Sequence, residues 1–199
     1  MDAAAWDERY RSSELVWSAG PNRFVESELV GLPAGRAVDL AAGEGRNAVW
    51  LAQRGWQVDA LDFSAVALAK ADRLAAERGV RVHTVCMDLT AWSAPEGAYD
   101  LALLAYLQLP WPQMEQVLQS AATAVRTGGT LFLVGHDATN LACGHGGPQD
   151  PGVLYTAEQV AEVWRPHARI VKAEAVERPV ETAEGRRTAI DALVRAERL

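Results

Sequence analysis

The chain has 199 residues, of which 49% are apolar and 23% are charged. This composition supplies enough apolar side chains for one buried core, and it excludes a disordered chain, a collagen and a coiled coil. The net charge of −7, without a long basic run, argues against nucleic acid as the main partner, and no apolar stretch approaches the ~20 residues that cross a bilayer.

Short β-like runs alternate with longer helical runs along the chain. Glycines, prolines and capping residues mark the ends of the elements; Ser64 is a good N-cap and Gly128-Gly129 closes a helix. In chain order, we predict helix 24–31, strand 36–41, helix 46–54, strand 56–62, helix 64–79, strand 80–86, loop 88–97, strand 99–104, helix 113–126, strand 130–135, helix 157–164, and strands 170–176 and 188–196.

The order of these elements predicts an α/β fold. Strand and helix alternate through residue 135, which favours a doubly wound, Rossmann-like, mainly parallel sheet with helices on both faces. The last two strands, joined across residues 182–187, predict an antiparallel hairpin. Residues 136–155 are rich in glycine and lack periodicity, which is typical of a functional loop. Because ligands bind outside the carboxyl ends of such strands, the residues directly after each strand are the candidates for function.

The cysteine and tryptophan positions indicate structural roles. Only Cys86 and Cys143 occur, which excludes a disulfide framework, and Cys86 is expected to be a small buried side chain at the end of strand 80–86. Trp50, Trp56 and Trp164 lie within predicted elements and are expected in the core.

A glycine loop follows the first strand, in the run Asp39-Leu-Ala-Ala-Gly43-Glu44-Gly45-Arg-Asn-Ala48. Gly43-x-Gly45-x-x-Ala48 also fits a dinucleotide fingerprint, but a match of this kind is weak evidence. Asp39 and Glu44 would oppose a bound diphosphate, whereas acids beside the loop suit a sulfonium cofactor with a free ammonium group. S-adenosylmethionine (SAM) therefore fits the loop better than NAD.

Two more carboxylates follow the next two strands. Asp62 ends strand 56–62 and Asp88 follows strand 80–86, where they can meet ribose hydroxyls and an adenine amino group.

At these residues the sequence resembles the class I SAM-dependent methyltransferases. The pattern Asp39-Leu-Ala-Ala-Gly-Glu-Gly-Arg-Asn47 with Ala60-Leu-Asp62-Phe-Ser64 looks most like the small branch related to tellurite-resistance and thiopurine methyltransferases. The resemblance covers essentially the whole chain and implies one domain over residues 1–199, with seven strands, the last antiparallel. It also implies SAM as cofactor and S-adenosylhomocysteine (SAH) as product. The sequence departs from the family pattern at Ala41, where many members have glycine.

The resemblance implies a set of cofactor contacts. Asp39 and the glycine loop would surround the methionine moiety, Asp62 would bind ribose, Phe63 would border adenine and Asp88-Leu89 would meet its edge. Residues 1–23 would form a lid whose aromatic side chains cover the cofactor and favour its sulfonium. The complete set is Trp6, Tyr10, Trp17, Asp39, Ala41, Gly43, Arg46, Asn47, Asp62, Phe63, Ser64, Asp88, Leu89, Ala105 and Tyr106.

The end of the fifth strand carries the candidate substrate chemistry. Gly135-His136-Asp137 begins the loop 136–155, and methyl transfer to a hydroxyl needs a group that removes its proton. His136, with Asp137 beside it, is the candidate base. The candidate substrate contacts are His136, Asn140, His145 and Tyr155. His136, Asp137, His145 and Asp150 contain suitable metal ligands, but their spacing does not favour a metal site, so none is predicted. His83 and His167 are expected at the surface.

The predicted function is methyl transfer from SAM to a small molecule, with an oxygen acceptor favoured because His136 offers a base. Sulfur, nitrogen and tellurite-type acceptors stay open, as do a non-catalytic SAM-binding protein and an NAD-dependent oxidoreductase. The N-terminus lacks a basic segment followed by an apolar one, so a cytoplasmic protein without a membrane partner is predicted. The sequence is compatible with a monomer or a homodimer.

Overall fold

A computed structural model describes residues 3–12, 15 and 20–199 of the chain. Its helices are α1 Ala3–Arg11, α2 Arg23–Leu29, α3 Arg46–Gln53, α4 Ala65–Glu77, α5 Trp111–Ala124, α6 Asn140–Cys143 and α7 Ala157–Trp164. Its strands are β1 Arg36–Leu40, β2 Gln57–Asp62, β3 His83–Cys86, β4 Tyr99–Ala105, β5 Val125–His136, β6 Ala168–Thr182 and β7 Gly185–Arg198. Two short 3-10 turns are present at Leu89–Ala91 and Pro151–Val153.

The seven strands form one sheet in the order β3-β2-β1-β4-β5-β7-β6. Strand β1 pairs in parallel with β2 and β4, and β2 pairs in parallel with β3. Strand β7 pairs antiparallel with both β5 and β6. The predicted α/β fold with an antiparallel C-terminal hairpin is therefore confirmed.

The chain divides into two compact units. The first ends at Ser93 and also takes in β4, while the second contains Ala94–Ala98 and Tyr106–Leu199. The prediction of a single domain over residues 1–199 stays a prediction.

The first unit contains the four parallel strands β3, β2, β1 and β4. Its core is aliphatic, with Leu40, Leu51 and Leu103 fully buried, and Trp50 and Trp56 are buried as expected. Helix α4 begins where predicted, because the Ser64 hydroxyl accepts a hydrogen bond from Ala67 N. These elements fix the loop between β1 and α3, which contains the glycines.

The second unit contains β5, β7 and β6 with helices α5 to α7. Trp164 is fully buried, as expected, and its indole Nε1 donates to the Leu118 carbonyl at 3.0 Å. Helix α7 begins with a capping box, in which Thr156 and Gln159 satisfy each other's backbone N–H groups.

Several element ends and one burial differ from the sequence predictions; strand β5 begins five residues earlier than predicted, and both strands of the C-terminal hairpin are longer. Helix α5 ends at Ala124 because buried Val125 takes an extended conformation, so Gly128-Gly129 lies inside β5 and does not close a helix. Cys86 is exposed, since it is the last residue of β3 at the edge of the sheet. Strand β3 begins at His83, three residues later than predicted.

Among the described helices, none combines the length and the apolar character that crossing a membrane requires. The predicted cytoplasmic location stays a prediction.

Candidate functional site

The glycine loop leaves β1 in a left-handed backbone conformation. Ala41, Gly43 and Gly45 have φ angles of 66°, 54° and 75°. At Gly45, the residue before α3, a Cβ atom would lie 2.5 Å from the Cβ of Ala71 on α4. Only glycine allows this close approach, so Gly45 brings the start of α3 against α4. Ala41 takes the same backbone conformation with a side chain, which identifies it as a strained position.

Asp62 joins the glycine loop to the start of α4. Its Oδ2 accepts from Gly43 N and its Oδ1 accepts from Ser64 N, both at 2.9 Å. Burial raises the pKa of the Asp62 carboxyl, and the backbone N–H groups oppose that shift. Asp62 therefore fixes the loop in the first unit, and its expected ribose contact stays a prediction.

Asp39 is a buried carboxyl group on β1, immediately before the loop. It has no exposed surface, and neither of its oxygens accepts a well-formed hydrogen bond from the described residues. Burial raises the pKa of Asp39 to about 7, and Asp62 adds to the rise, while Arg46 and the Ala48 backbone N–H lower it. A buried acid in this state is stabilised by an arriving cation or hydrogen-bond donor.

Glu44, between the two loop glycines, forms a buried ion pair. Its Oε1 lies 2.9 Å from Nζ of Lys70 on α4, and both side chains are buried. Lys70 Nζ also donates to the Tyr10 carbonyl. Lys70 therefore neutralises the charge that the sequence analysis set against a diphosphate. The prediction that Glu44 opposes a diphosphate is therefore wrong, and Asp39 remains as the acid that would oppose one.

Helix α1 contributes two of the predicted lid residues. Tyr10 is buried, and its hydroxyl lies against the loop: a Cβ on Gly43 would be 3.0 Å from it. The Trp6 ring stacks on Tyr10 with centroids 5.5 Å apart. The Ser64 hydroxyl donates to Asp7, which ties α1 to the start of α4. Trp17, the third predicted lid residue, lies outside the described residues.

The other predicted cofactor contacts are placed around the carboxyl ends of the strands. Asp88 is exposed and its Oδ1 accepts from Thr90 N at 2.8 Å, which caps the 3-10 turn that contains buried Leu89. The Asn47 side chain is buried and accepts from Asn22 N at 2.9 Å, so it anchors the start of α2. Partly exposed side chains are found at Arg46, Phe63, Ala105 and Tyr106.

The second unit holds a polar cluster, called here the Asp191 cluster, formed by Tyr106, His136, Arg178 and Asp191. Asp191 on β7 is fully buried. Its Oδ2 accepts from Arg178 Nε at 2.6 Å and from the Tyr106 hydroxyl at 2.7 Å, and its Oδ1 accepts from Arg178 Nη2 at 3.3 Å. The bidentate guanidinium compensates the carboxylate charge.

His136 lies at the end of β5, beside Asp191. Its Nδ1 is 3.5 Å from Asp191 Oδ1, and its ring meets the edge of Tyr106 with centroids 4.9 Å apart. Burial lowers the pKa of His136; Asp191 opposes this shift and Arg178 adds to it. The imidazole is therefore neutral at pH 7 and can accept a proton.

Tyr106 follows β4 with a φ of 60°, a strained value for a bulky side chain. Its backbone N–H donates to the Val134 carbonyl at 2.7 Å while its hydroxyl binds Asp191. Both ends of Tyr106 are thus held, which maintains the strained backbone.

The remaining predicted substrate residues hold the segment 136–155 in place. Asp137, predicted as a catalytic residue beside His136, is buried and accepts from Thr139 N at 2.9 Å, and its catalytic role stays a prediction. The carboxylate 3.5 Å from His136 Nδ1 belongs to Asp191. Asn140 Nδ2 donates to the Gly146 carbonyl at 2.8 Å. The buried Tyr155 hydroxyl donates to the Leu107 carbonyl at 3.0 Å.

His145 is exposed, as are His83 and His167, the latter two as expected. In the described part of the chain, no group of three or more His, Cys, Asp or Glu side chains is arranged to hold a metal ion.

Sequence reasoning missed Lys70, Arg178 and Asp191. The signal for Asp191 was present, because a carboxylate stands inside the apolar run Ala189-Ile190-Asp191-Ala192-Leu193. A charge in such a run needs a buried partner.

Residues 37–129 match the family described as "Methyltransferase domain". Among curated proteins, the ubiquinone biosynthesis O-methyltransferase of Burkholderia thailandensis is 33% identical over 102 residues, which cover 51% of this chain and 44% of that protein. The Escherichia coli tRNA 5-carboxymethoxyuridine methyltransferase is 33% identical over 112 residues, covering 53% and 42%. The chain therefore spans less than half the length of these relatives.

A solved structure supports the fold. The N-methyltransferase NodS of Bradyrhizobium japonicum, crystallised with SAH, superposes with a TM-score of 0.74 at 17% identity, over 98% of this chain and 97% of that one. These similarities support the predicted class I SAM-dependent methyltransferase. They also support SAM as the predicted cofactor. The narrower resemblance to the tellurite-resistance and thiopurine branch stays a prediction.

Proposed function

We propose that the protein transfers the methyl group of SAM to a hydroxyl group of a small molecule. The observation that carries the proposal is Asp39, a buried carboxyl with a raised pKa and no well-formed hydrogen bond from the described residues, at the glycine loop within the matched residues 37–129. The ammonium of SAM supplies the cation that this carboxyl needs. Asp62 and Asp88 are the proposed ribose and adenine contacts, with Phe63 beside the adenine.

The oxygen acceptor is proposed because of His136. SAM, when bound, supplies a methyl group on a sulfonium, and the acceptor oxygen gains that methyl as it loses its proton. A neutral imidazole at the end of β5 accepts this proton. The printed name of the Burkholderia relative, an O-methyltransferase, is consistent with this acceptor.

The net charge of the chain supports a small-molecule acceptor over a nucleic acid. One relative is named for tRNA, but this chain has a net charge of −7, which opposes binding to a phosphate backbone.

Calorimetric titration with SAH and with NADH tests the cofactor site. We expect SAH to bind and NADH not to bind. At pH 6 the Asp39 carboxyl, whose pKa is about 7, is largely protonated, so an arriving ammonium displaces its proton. Repeating the titration in buffers of different ionisation enthalpy should show release of about one proton per SAH bound.

Two variants complete this test. Asp39→Asn should abolish the proton release and weaken SAH, while Asp72→Asn, an exposed carboxylate on α4, should leave both unchanged. Binding of NADH alone, or SAH binding without a dependence on Asp39, would contradict the proposed site.

A panel of phenols, thiols, amines and tellurite, assayed with radiolabelled SAM, tests the acceptor. We expect transfer to a hydroxyl, and we expect His136→Ala to lower kcat by about 10²-fold or more with unchanged SAH affinity. Preferred methylation of a thiol or an amine would overturn the oxygen assignment.

A further inference from the structure

We propose that Asp191 is a positioning residue that orients the His136 imidazole, so that Nδ1 carries the proton and Nε2 is the atom that accepts a proton from the substrate. This inference rests on the proposed function, in which His136 is the base. It adds a residue that the sequence analysis did not select and a specific tautomer of the base.

The strand register places the two side chains together. His136 and Asp191 are direct partners in the antiparallel pair of β5 and β7. On the other side of β7, Arg178 is opposite Ala189, two residues from Asp191. Directly opposed residues and residues two positions apart share one face of a sheet, so Asp191 lies between His136 and Arg178.

Asp191 is held independently of His136. Arg178 contributes two hydrogen bonds and the Tyr106 hydroxyl a third, while the carboxylate is fully buried. A carboxylate fixed in this way can set the direction of a neighbouring ring. His136 Nδ1 lies 3.5 Å from Asp191 Oδ1 without a formed hydrogen bond to the described residues. Hydrogen bonds of a catalytic base often tighten only when substrate binds, so this separation allows the orienting role.

The charges around His136 fit an orienting role. Asp191 faces it from β7, Arg178 from β6 and Tyr106 from the residue after β4. Arg178 compensates the Asp191 charge, so the carboxylate can accept the Nδ1 proton without holding the ring as an imidazolium. A neutral ring with its proton on Nδ1 presents the lone pair of Nε2.

Long-range ¹H–¹⁵N NMR of the full chain tests the inference without any acceptor. The chain has four histidines, so the His136 signals can be assigned by comparison with His136→Gln. We expect the wild-type protein to show the Nδ1–H tautomer at pH 7.5. An Nε2–H tautomer in the wild type overturns the proposal, whether or not any variant folds.

Asp191→Asn should shift the His136 population towards Nε2–H, because the amide N–H of asparagine can donate to Nδ1. Once an acceptor is known, the same variant should lower kcat by about 10²-fold and alter its pH profile, with KM and SAH affinity unchanged. An unchanged tautomer and an unchanged kcat in folded Asp191→Asn would overturn the proposal.

The matched control is Asp59→Asn. Asp59 lies 3.0 Å from His83 Nδ1 in an exposed pair on the first unit. This variant should change the His83 signals and leave those of His136 unaltered. The NMR readout does not depend on turnover. An Nδ1–H tautomer without any methyl transfer would contradict the proposed function alone, whereas an Nε2–H tautomer would contradict the orienting role.

Discussion

Ala41 carries a side chain where the backbone suits glycine. With φ at 66°, its Cβ costs about 1–2 kcal/mol, whereas glycine would lose about 0.5–1 kcal/mol of additional backbone entropy on folding. Ala41→Gly should therefore raise the free energy of unfolding by up to about 1 kcal/mol, measured by urea denaturation.

Ala69→Gly is the matched control for this change. Ala69 is exposed in the middle of α4, where glycine is unfavourable, so the same substitution should lower the free energy of unfolding by about 1 kcal/mol. If both variants were destabilised equally, the left-handed strain at Ala41 would be refuted.

Asp39 should make the ligand-free protein less stable as pH rises. Its pKa is about 7 in the folded chain and near 3.8 when unfolded, so between these values the unfolded state releases its proton first and stability falls. The effect is absent below pH 3.8 and complete above pH 7. Relative to their difference below pH 3.8, Asp39→Asn should gain about 1 kcal/mol over wild type at pH 4.5 and several kcal/mol at pH 8.

Urea denaturation of the two proteins across this pH range measures the difference. Asp72→Asn, by comparison, should track the wild type at every pH. A stability gap between wild type and Asp39→Asn that stays constant as pH rises would show that the folded chain ionises this carboxyl without penalty.

Individual site residues were predictable where one segment defines them. The placement of Asp39, Gly43 and Asp62 around one loop follows from a glycine loop after one strand and an acid at the end of the next, while their cofactor contacts stay a prediction. Lys70 and Arg178 were not predictable in this way, because their partners Glu44 and Asp191 are set by packing and by register between strands. The charges within one segment do not indicate how its strand aligns with a neighbouring strand.

At the scale of elements, the capping box of helix α7 tests whether residues next to each other in sequence fix the start of a helix. The Thr156 hydroxyl accepts from Gln159 N at 3.2 Å, and Gln159 Oε1 accepts from Thr156 N at 2.9 Å. Thr156→Ala should lower the free energy of unfolding by about 1 kcal/mol. Urea denaturation measures the loss.

Thr156→Ser, which keeps the hydroxyl, should restore most of that stability. A Thr156→Ala protein as stable as the wild type would show that packing alone fixes the start of α7.

Element types were predicted better than element ends. The helix starts at Ser64 and Thr156 follow from capping chemistry that is local in sequence. The end of α5 was placed too late, because the burial of Val125 in the sheet, a tertiary effect, outweighs the helical pattern that continues to Arg126.

At the scale of the whole molecule, the excess of acidic residues predicts weak affinity for RNA. With a net charge of −7, the chain should show no saturable binding to unfractionated tRNA at ~150 mM salt up to about 100 μM protein, followed by fluorescence anisotropy. Binding at micromolar concentration with a steep salt dependence would favour a nucleic-acid acceptor over the proposed small molecule.

The fold class was predictable because strand and helix alternate through the first five strands, and an alternation of this kind has few topological solutions. The sequence did not predict the order β5-β7-β6 at one side of the sheet or the resulting Asp191 cluster. Both depend on how the last hairpin pairs with the rest of the sheet.

The two sheet edges also bear on the behaviour of the chain at high concentration. Strand β3 at one edge has only four residues. Strand β6 at the other has fifteen, but Pro179 removes one backbone donor, and exposed charges recur at Arg169, Glu174, Glu177 and Glu181. Such edges are poor templates for a strand from another copy, so the fold resists edge-to-edge polymerisation and fibril growth despite its long C-terminal hairpin.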